Sequence, residues 1–359
     1  MGSPAVAVYT GTPRFTLDGR EEPALAQALL TLTIDEALEG LYRCETSFSN
    51  WGPADGGIGY TYLDRKVLEF GKGFKVEGGN GDRGGVLFDG RIMALEGRFL
   101  RQPPEVLILA EDRLQDLRMT RRTRSFEDVS DEDIFRSVAS GHGLQTDLDL
   151  TGPTYRAVAQ LNQSDLAFLR ERARAIDADL WVEDRKLIAK NRSRRAGVTV
   201  KIAYLRDVQE CSIMADLARQ YSAFRVTGWD VAAKSAVEHK AGPEAISSEL
   251  DSLTGGSSIL EAAIGERVQQ IAHQLPLTND EAQALAEAAY RRSARQFLTG
   301  SLITEGDARF RVGTLADLGG FSPLFDGKYF VTRVRHTYTR ANGFRTQIHF
   351  ERPGIGQAA

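Results

Sequence analysis

Residues 74–92 read FKVEGGNGDRGGVLFDGRI. Within them Gly79, Gly81 and Gly84 spell G-x-G-x-x-G after an extended run, which is the spacing of a dinucleotide phosphate loop. Such a loop needs a helix next, because the helix N-terminus holds the pyrophosphate. The residues that follow are GVLFDGRIMALEG, in which Val86, Phe88 and Gly90 alternate with Leu87, Asp89 and Arg91. That is a period of two, so the element is a strand and not a helix. No alternation of strands and helices surrounds it to build a doubly wound sheet. The stretch therefore predicts a hairpin, Phe74–Glu77 and Val86–Ile92, joined by a flexible tip Gly78–Gly85 whose glycines supply positive φ.

The same short-strand pattern continues outward. Over residues 27–50 two alternating runs flank a turn near Glu36–Gly40, with Tyr42, Cys44, Thr46 and Phe48 on one face. EVLILAED adds another strand, and the first 112 residues read as β. From 113 to 195 the period changes. DEDIFRSVASGHG and the run after Ser164 read as helices, with Ser164 as N-cap, Asp165 in the first turn and Gly141 as a stop. LWVED and KLIAKN then form a hairpin turning at Asp184–Arg185. Residues 196–235 return to β, residues 236–295 form a partly helical insertion, and residues 296–353 close the chain with strands. The last two strands meet at Ala341-Asn342-Gly343, a strong hairpin signal. The expected fold is mainly β with α+β insertions.

At 359 residues the chain is long enough for several domains. Its net charge of -4 argues against a dedicated nucleic-acid binder. Of 45 basic residues 9 are Lys, leaving 36 Arg, the side chain suited to planar ion pairs. No stretch approaches the 18 apolar residues that a membrane helix requires, and the start MGSPAVAVYTG is not a secretory leader. The chain is expected to be soluble and made in the cytoplasm.

Sites for chemistry are scarce. Cys44 and Cys211 read as two buried thiols. His142, His239, His273, His336 and His349 form no H-x-x-x-H pair, and His336 and His349 read as polar positions on one β-ribbon. There is no G-x-S-x-G elbow. The acid pairs Asp131–Asp133 and Asp177–Asp179 fall at helix ends and turns, where Asp caps. Two Arg runs, 118–124 and 192–195, flank the α+β unit; they read as solvated linker charge, or else as an interface for an acidic partner or a nucleic-acid backbone. No cofactor or metal is expected, and a large β-rich chain without a site reads as a structural component and not an enzyme.

The stretch 160–191 resembles a known family. Its Q-x-x-x-S-D-x-x-F-L run, carried by Gln160, Ser164, Asp165, Phe168 and Leu169 with Ala173 after it, is similar to that of contractile-tail hub proteins. These are the phage late control gene D proteins and the N-terminal part of the VgrG proteins of type VI secretion. LTIDEALEGLYRCETSFSN, the hairpin with Gly73, Val76, Phe88, Gly90 and Ile92, and the closing RVRHTYTRANGFRTQIHFER resemble further pieces of that family in the same order. The resemblance implies two tail-tube-like antiparallel β-barrels, at 1–112 and at 196–235 plus 296–353. It also implies a homotrimeric ring of pseudo-sixfold symmetry in the baseplate of a virion or injection particle. The ring's partners would be the tail tube protein, a separate trimeric spike and other baseplate proteins, with DNA or cargo passing through its lumen without specific binding. Arg333, Arg335, Arg345 and His349 are the expected interface or lumen residues, and the glycine-rich tip is expected to meet a ring neighbour. The competing reading is a baseplate-associated cell-wall hydrolase.

Overall fold

A computed structural model describes residues 11–357 except 55, 56, 80, 100–102, 196, 232 and 273–275. The leader reading at residues 1–10 and His273 lie outside the described residues.

The chain is mainly β, with α+β insertions. Thirteen strands join in one sheet: Arg14–Leu17 (β1), Arg20–Glu21 (β2), Leu29–Ala37 (β3), Arg43–Ser49 (β4), Gly73–Gly78 (β5), Gly85–Arg98 (β6), Glu105–Glu111 (β7), Thr199–Ala203 (β8), Val208–Ala215 (β9), Leu298–Glu305 (β10), Leu315–Gly319 (β11), Gly327–Thr339 (β12) and Gly343–Arg352 (β13). The order is β9-β10-β13-β12-β3-β4-β7-β6-β5-β1-β2, with β11 also on β12 and β8 on β11. The β3–β12 pairing joins the two halves, with Asp35 opposite Arg335 and Ile34 opposite His336.

Period-two alternation puts each strand's apolar residues on one face. In β13 Phe344, Thr346, Ile348 and Phe350 are buried, while Arg345, Gln347 and His349 face out. The inward residues build two cores. One holds Phe15, Phe48, Phe74 and Ile108, with Phe15 5.3 Å from Phe48, edge-on, and 5.7 Å from Phe74, stacked. The other holds Leu302, Phe310, Val331, Ile348 and Phe350, with Tyr329 edge-on to Phe350 at 4.9 Å. Each core is built mainly by its own half of the sheet, although Phe344 and Ala308 of the second half join the first core, and the ladder runs from one half into the other.

The α+β unit has its own core of Ile134, Phe135, Val138, Leu166, Phe168 and Leu169. Helix Asp165–Ala175 is capped by Ser164, whose hydroxyl accepts from Ala167 N at 3.2 Å. Helix Asp131–Gly141 is capped reciprocally by Ser130 and Asp133; it includes Gly141, and the left-handed residue past its end is Gly143, at φ 64°.

Residues 196–235, expected together in the second barrel, divide. β8 and β9 join the large sheet, but Ala223–Asp230 pairs with Ser235–Ala241 and Val268–Ile271 in a separate sheet. Its Phe224 and Val226 pack with Ala282, Ala286 and Tyr290, one face of helix Asn279–Arg295. Alternation reveals which face of a strand is buried but not which partner buries it.

The glycine-rich tip is held within its own chain. Arg83 O accepts from Ala308 N at 2.9 Å, and Arg311 Nη1 donates to Val86 O at 3.2 Å. Gly79 sits at φ 80°, where a Cβ would stand 2.2 Å from Arg83 O. A one-turn 3-10 helix, Gly81–Arg83, fills the tip. The tip expected to be flexible is docked on the 306–311 segment of its own chain, which the ladder alone left out of view.

Candidate functional site: the polar face of the sheet

Cross-strand partners share a face of the sheet. Reading the register across five strands gives the row Arg91–Glu111–Arg43–Asp35–Arg335, with charges alternating at every step. Arg43 Nε donates to Glu111 Oε1 at 3.0 Å. Arg335 donates to Asp35 through Nε at 2.9 Å and Nη2 at 3.1 Å, and Arg333 Nη2 adds a third bond at 2.9 Å. Burial alone would raise the Asp35 carboxyl; the bonds from Arg335 and Arg333 outweigh it and hold it below the usual carboxylate range.

The four residues singled out in the sequence lie on this one face. His349 is opposite Arg333, and Arg345 is 3.7 Å from Glu305 on β10. Burial, then Arg333 and Arg335, push His349 below its ordinary value, against the pull of Asp35. It is neutral at pH 7 and adds no charge to the row. His336 faces the other way, fully buried, with Nδ1 3.0 Å from Thr346 Oγ1. The two ribbon histidines are thus on opposite faces and share no ligand. The face carries Arg43, Arg91, Arg333, Arg335 and Arg345 against Asp35, Glu45, Glu111 and Glu305. Its near balance makes it a poor track for a polyanion.

Arg192 and Arg195 of the second run are not solvated linker charge, whereas Arg118, Arg121 and Arg122 of the first run, and Arg194, are exposed. Arg122 and Arg124 converge on Asp165 at 3.3 and 2.8 Å. Arg192 lies over the Phe330 ring at 4.1 Å and bonds Glu351, and Arg195 lies over Trp181 at 4.1 Å while donating to Val312 O at 2.8 Å. Arg122 and Arg124 tie parts of the α+β unit together, and the ring-stacked Arg192 and Arg195 fasten that unit to the sheet through Glu351 and Val312 O. An acidic partner or nucleic acid would find Arg192 and Arg195 already buried.

Sequence reading missed the seam between the halves. Glu36 is fully buried beside the Arg311 guanidinium and accepts from Val312 N at 3.3 Å. Burial raises its carboxyl, and Arg311 opposes the rise. A signal was present: Glu36 stands in the inward phase after Leu32 and Ile34.

Among the described residues the acid pairs read from the sequence are engaged in ion pairs and a helix cap. Asp131 bonds Arg172 and Tyr155, Asp133 caps its helix, and Asp177 and Asp179 bond Arg295 and Arg195. Both cysteines are free, Cys44 buried as expected and Cys211 only half-buried; burial pushes the Cys211 thiol up to about 11 and raises Cys44 well above the ordinary thiol value. Among the described residues no group of three or more His, Cys, Asp or Glu is placed to hold a metal, and no helix is long and apolar enough to cross a membrane.

Solved structures share this fold. A 43 kDa tail protein of prophage MuSo2 from Shewanella oneidensis matches with a TM-score of 0.70 at 12% identity, over 96% of this chain and 98% of its own. A tail protein from Neisseria meningitidis matches at 0.66 and 12%, over 97% and 98%. An E. coli component of the type VI secretion system, described as similar to the T4 tail proteins gp27 and gp5, matches at 0.58 and 10%, over 96% and 79%. No curated protein matches the sequence. Residues 54–340 match the family model described as Alg8 N-terminal domain, and the chain belongs to that family.

Proposed function

We propose that the chain is a structural hub of a contractile phage tail or phage-like injection system. Three copies close a ring of pseudo-sixfold character, each contributing two similar halves. One side of the ring meets the tail tube, and the other carries a separate trimeric spike among further baseplate proteins. The carrying observation is the full-length agreement in fold with two tail proteins, about 97% of this chain against 98% of theirs. The site agrees with this reading: one face of the sheet is core and the other is a balanced, ion-paired polar surface, as suits a wall past which DNA or cargo moves without being held. Arg333, Arg335, Arg345 and His349 then line the lumen or a subunit boundary. The chain assembles in the bacterial cytoplasm and ends in the baseplate of the particle.

Mass photometry of the purified chain, alone and with its spike, tests this. A trimer in either condition supports the hub, and a stable dimer contradicts it. A peptidoglycan zymogram should show no clearing; lysis would favour the hydrolase.

A further inference from the structure

Three parts of the chain meet around a recess of about 220 Å³. The turn after β3 supplies Leu38 and Glu39, helix Asp165–Ala175 supplies Arg170 and Arg174, and helix Asn279–Arg295 supplies Arg292, with Gln296 just past its end. Arg192 and Glu351 also line it, and Leu38, Ala173 and Leu180 give it apolar wall.

The acids of the lining are already taken. Glu39 pairs with Arg174, Asp177 with Arg295 at 2.6 and 2.8 Å, Asp179 with Arg195 at 3.1 Å, and Glu351 with Arg192 at 2.5 Å. Two arginines of the lining have no such partner. Among the described residues Arg170 and Arg292 form no ion pair. Arg170 donates through Nε to Glu39 O at 2.7 Å and through Nη2 to Gly40 O at 3.1 Å, and Arg292 donates through Nη1 to Arg174 O at 3.1 Å. A guanidinium carries five N–H donors, so each keeps donors that no protein acceptor meets. Burial holds both below the ordinary guanidinium value, and the charge of Arg174 adds to the lowering in each. In the same two helices Arg172 and Arg295 are buried as well, yet their bonds to Asp131 and to Glu249 and Asp177 outweigh burial and raise them. The recess therefore holds two guanidinium groups that lack the counter-charge their neighbours have.

We infer that the recess binds a small inorganic oxyanion of the phosphate or sulfate class between Arg170 and Arg292. The planar fork of N–H groups on each guanidinium suits such an anion. The space holds one oxyanion together with a few waters. Arg174 and Arg292 are partly in solvent, which leaves a way in. A bound anion would tie the turn after β3, the α+β unit and the helical insertion to one another. The site belongs to the single chain and draws nothing from the ring.

Isothermal titration of the full chain with phosphate, in chloride at constant ionic strength, should show one site per chain with a dissociation constant below about 1 mM. Phosphate should also raise the melting temperature above that in equal chloride, because the anion binds only the folded chain. Arg292→Gln, at a position partly in solvent, should weaken binding at least about tenfold with the circular dichroism unchanged. Gln296→Glu, which adds a carboxylate to the lining, should weaken it as much by repulsion. Arg121→Gln, at an exposed position on another strand of the α+β unit, should bind phosphate as the wild type does. A wild type that takes up phosphate no better than chloride overturns the site. Binding as tight as wild type in both Arg292→Gln and Gln296→Glu overturns it too, since the anion would then sit on another basic surface.

Discussion

Arg335 and Asp35 lie 300 residues apart and face each other across the β3–β12 ladder, with two hydrogen bonds from one guanidinium to one carboxylate. Because the sheet is continuous there, the pair sits where the two halves of the chain become one wall. Arg335→Ala should cost about 1 kcal/mol or less in urea unfolding, since both side chains are partly in water. The folded Asp35 carboxyl is depressed, so the pair's contribution is complete above the ordinary carboxylate range and is lost as pH falls through the folded value. The gap between wild type and Arg335→Ala should therefore close in acid. Charge reversal at Arg333 and Arg335 to Glu should lower particle yield far more than it lowers monomer stability; normal yield and infectivity would contradict a role in the wall.

The seam pair Glu36–Arg311 should behave differently. Arg311→Met leaves a fully buried carboxylate with one backbone donor, at a cost of about 3 kcal/mol by chemical denaturation. Adding Glu36→Gln should recover much of that, because the amide keeps Val312 N and has no charge to desolvate. The folded Glu36 carboxyl is raised, so the loss in Arg311→Met should shrink as pH falls and the carboxyl takes up its proton. Equal losses in the single and double variants would contradict the pairing.

The two central glycines of residues 74–92 make a contrast that separates fold from ligand. Gly79→Ala forces a Cβ within 2.2 Å of a carbonyl oxygen at positive φ, and should cost more than about 2 kcal/mol. Gly81 has positive φ and open space, so Gly81→Ala should cost only about 1 kcal/mol. Neither ATP nor NAD should bind the wild type by equilibrium dialysis. Nucleotide binding lost in Gly81→Val would restore the phosphate-loop reading.

Much of this was legible because strands write themselves in alternation. Phe344, Ile348 and Phe350 inward and Arg345 and His349 outward follow from period two, as does the Ser164 cap from residue type. What stayed hidden was partner choice across long separations. Nothing local says that Phe224 turns to Tyr290 and away from the large sheet, that Arg192 stacks on Phe330, or that the tip at Arg83 meets Ala308. Arg192 and Arg195 were misread for the same reason: a run of charge looks solvated until the distant partners that bury it are in place. His336 reads only as a polar position on the ribbon, without a face; alternation after Arg333 and Arg335 puts it in the inward phase with Val334.

That phase has a measurable consequence. His336 is sealed in the interior, where burial first, and the Arg311 charge second, push its imidazole down to about 3. The folded chain therefore keeps it neutral at pH values where the unfolded chain protonates it, from about 6.5 downward. Over that window the unfolded state binds more protons, so stability must fall as pH falls, by about 1.4 kcal/mol per unit from this one residue, flattening near the folded value. His336→Leu removes the titrating group and should remove that part of the slope, at the expense of the bond to Thr346. Urea midpoints from pH 7.5 to 4.5 on both proteins check it. A slope unchanged in His336→Leu would mean that the imidazole reaches solvent and that the second core is less closed than its packing implies.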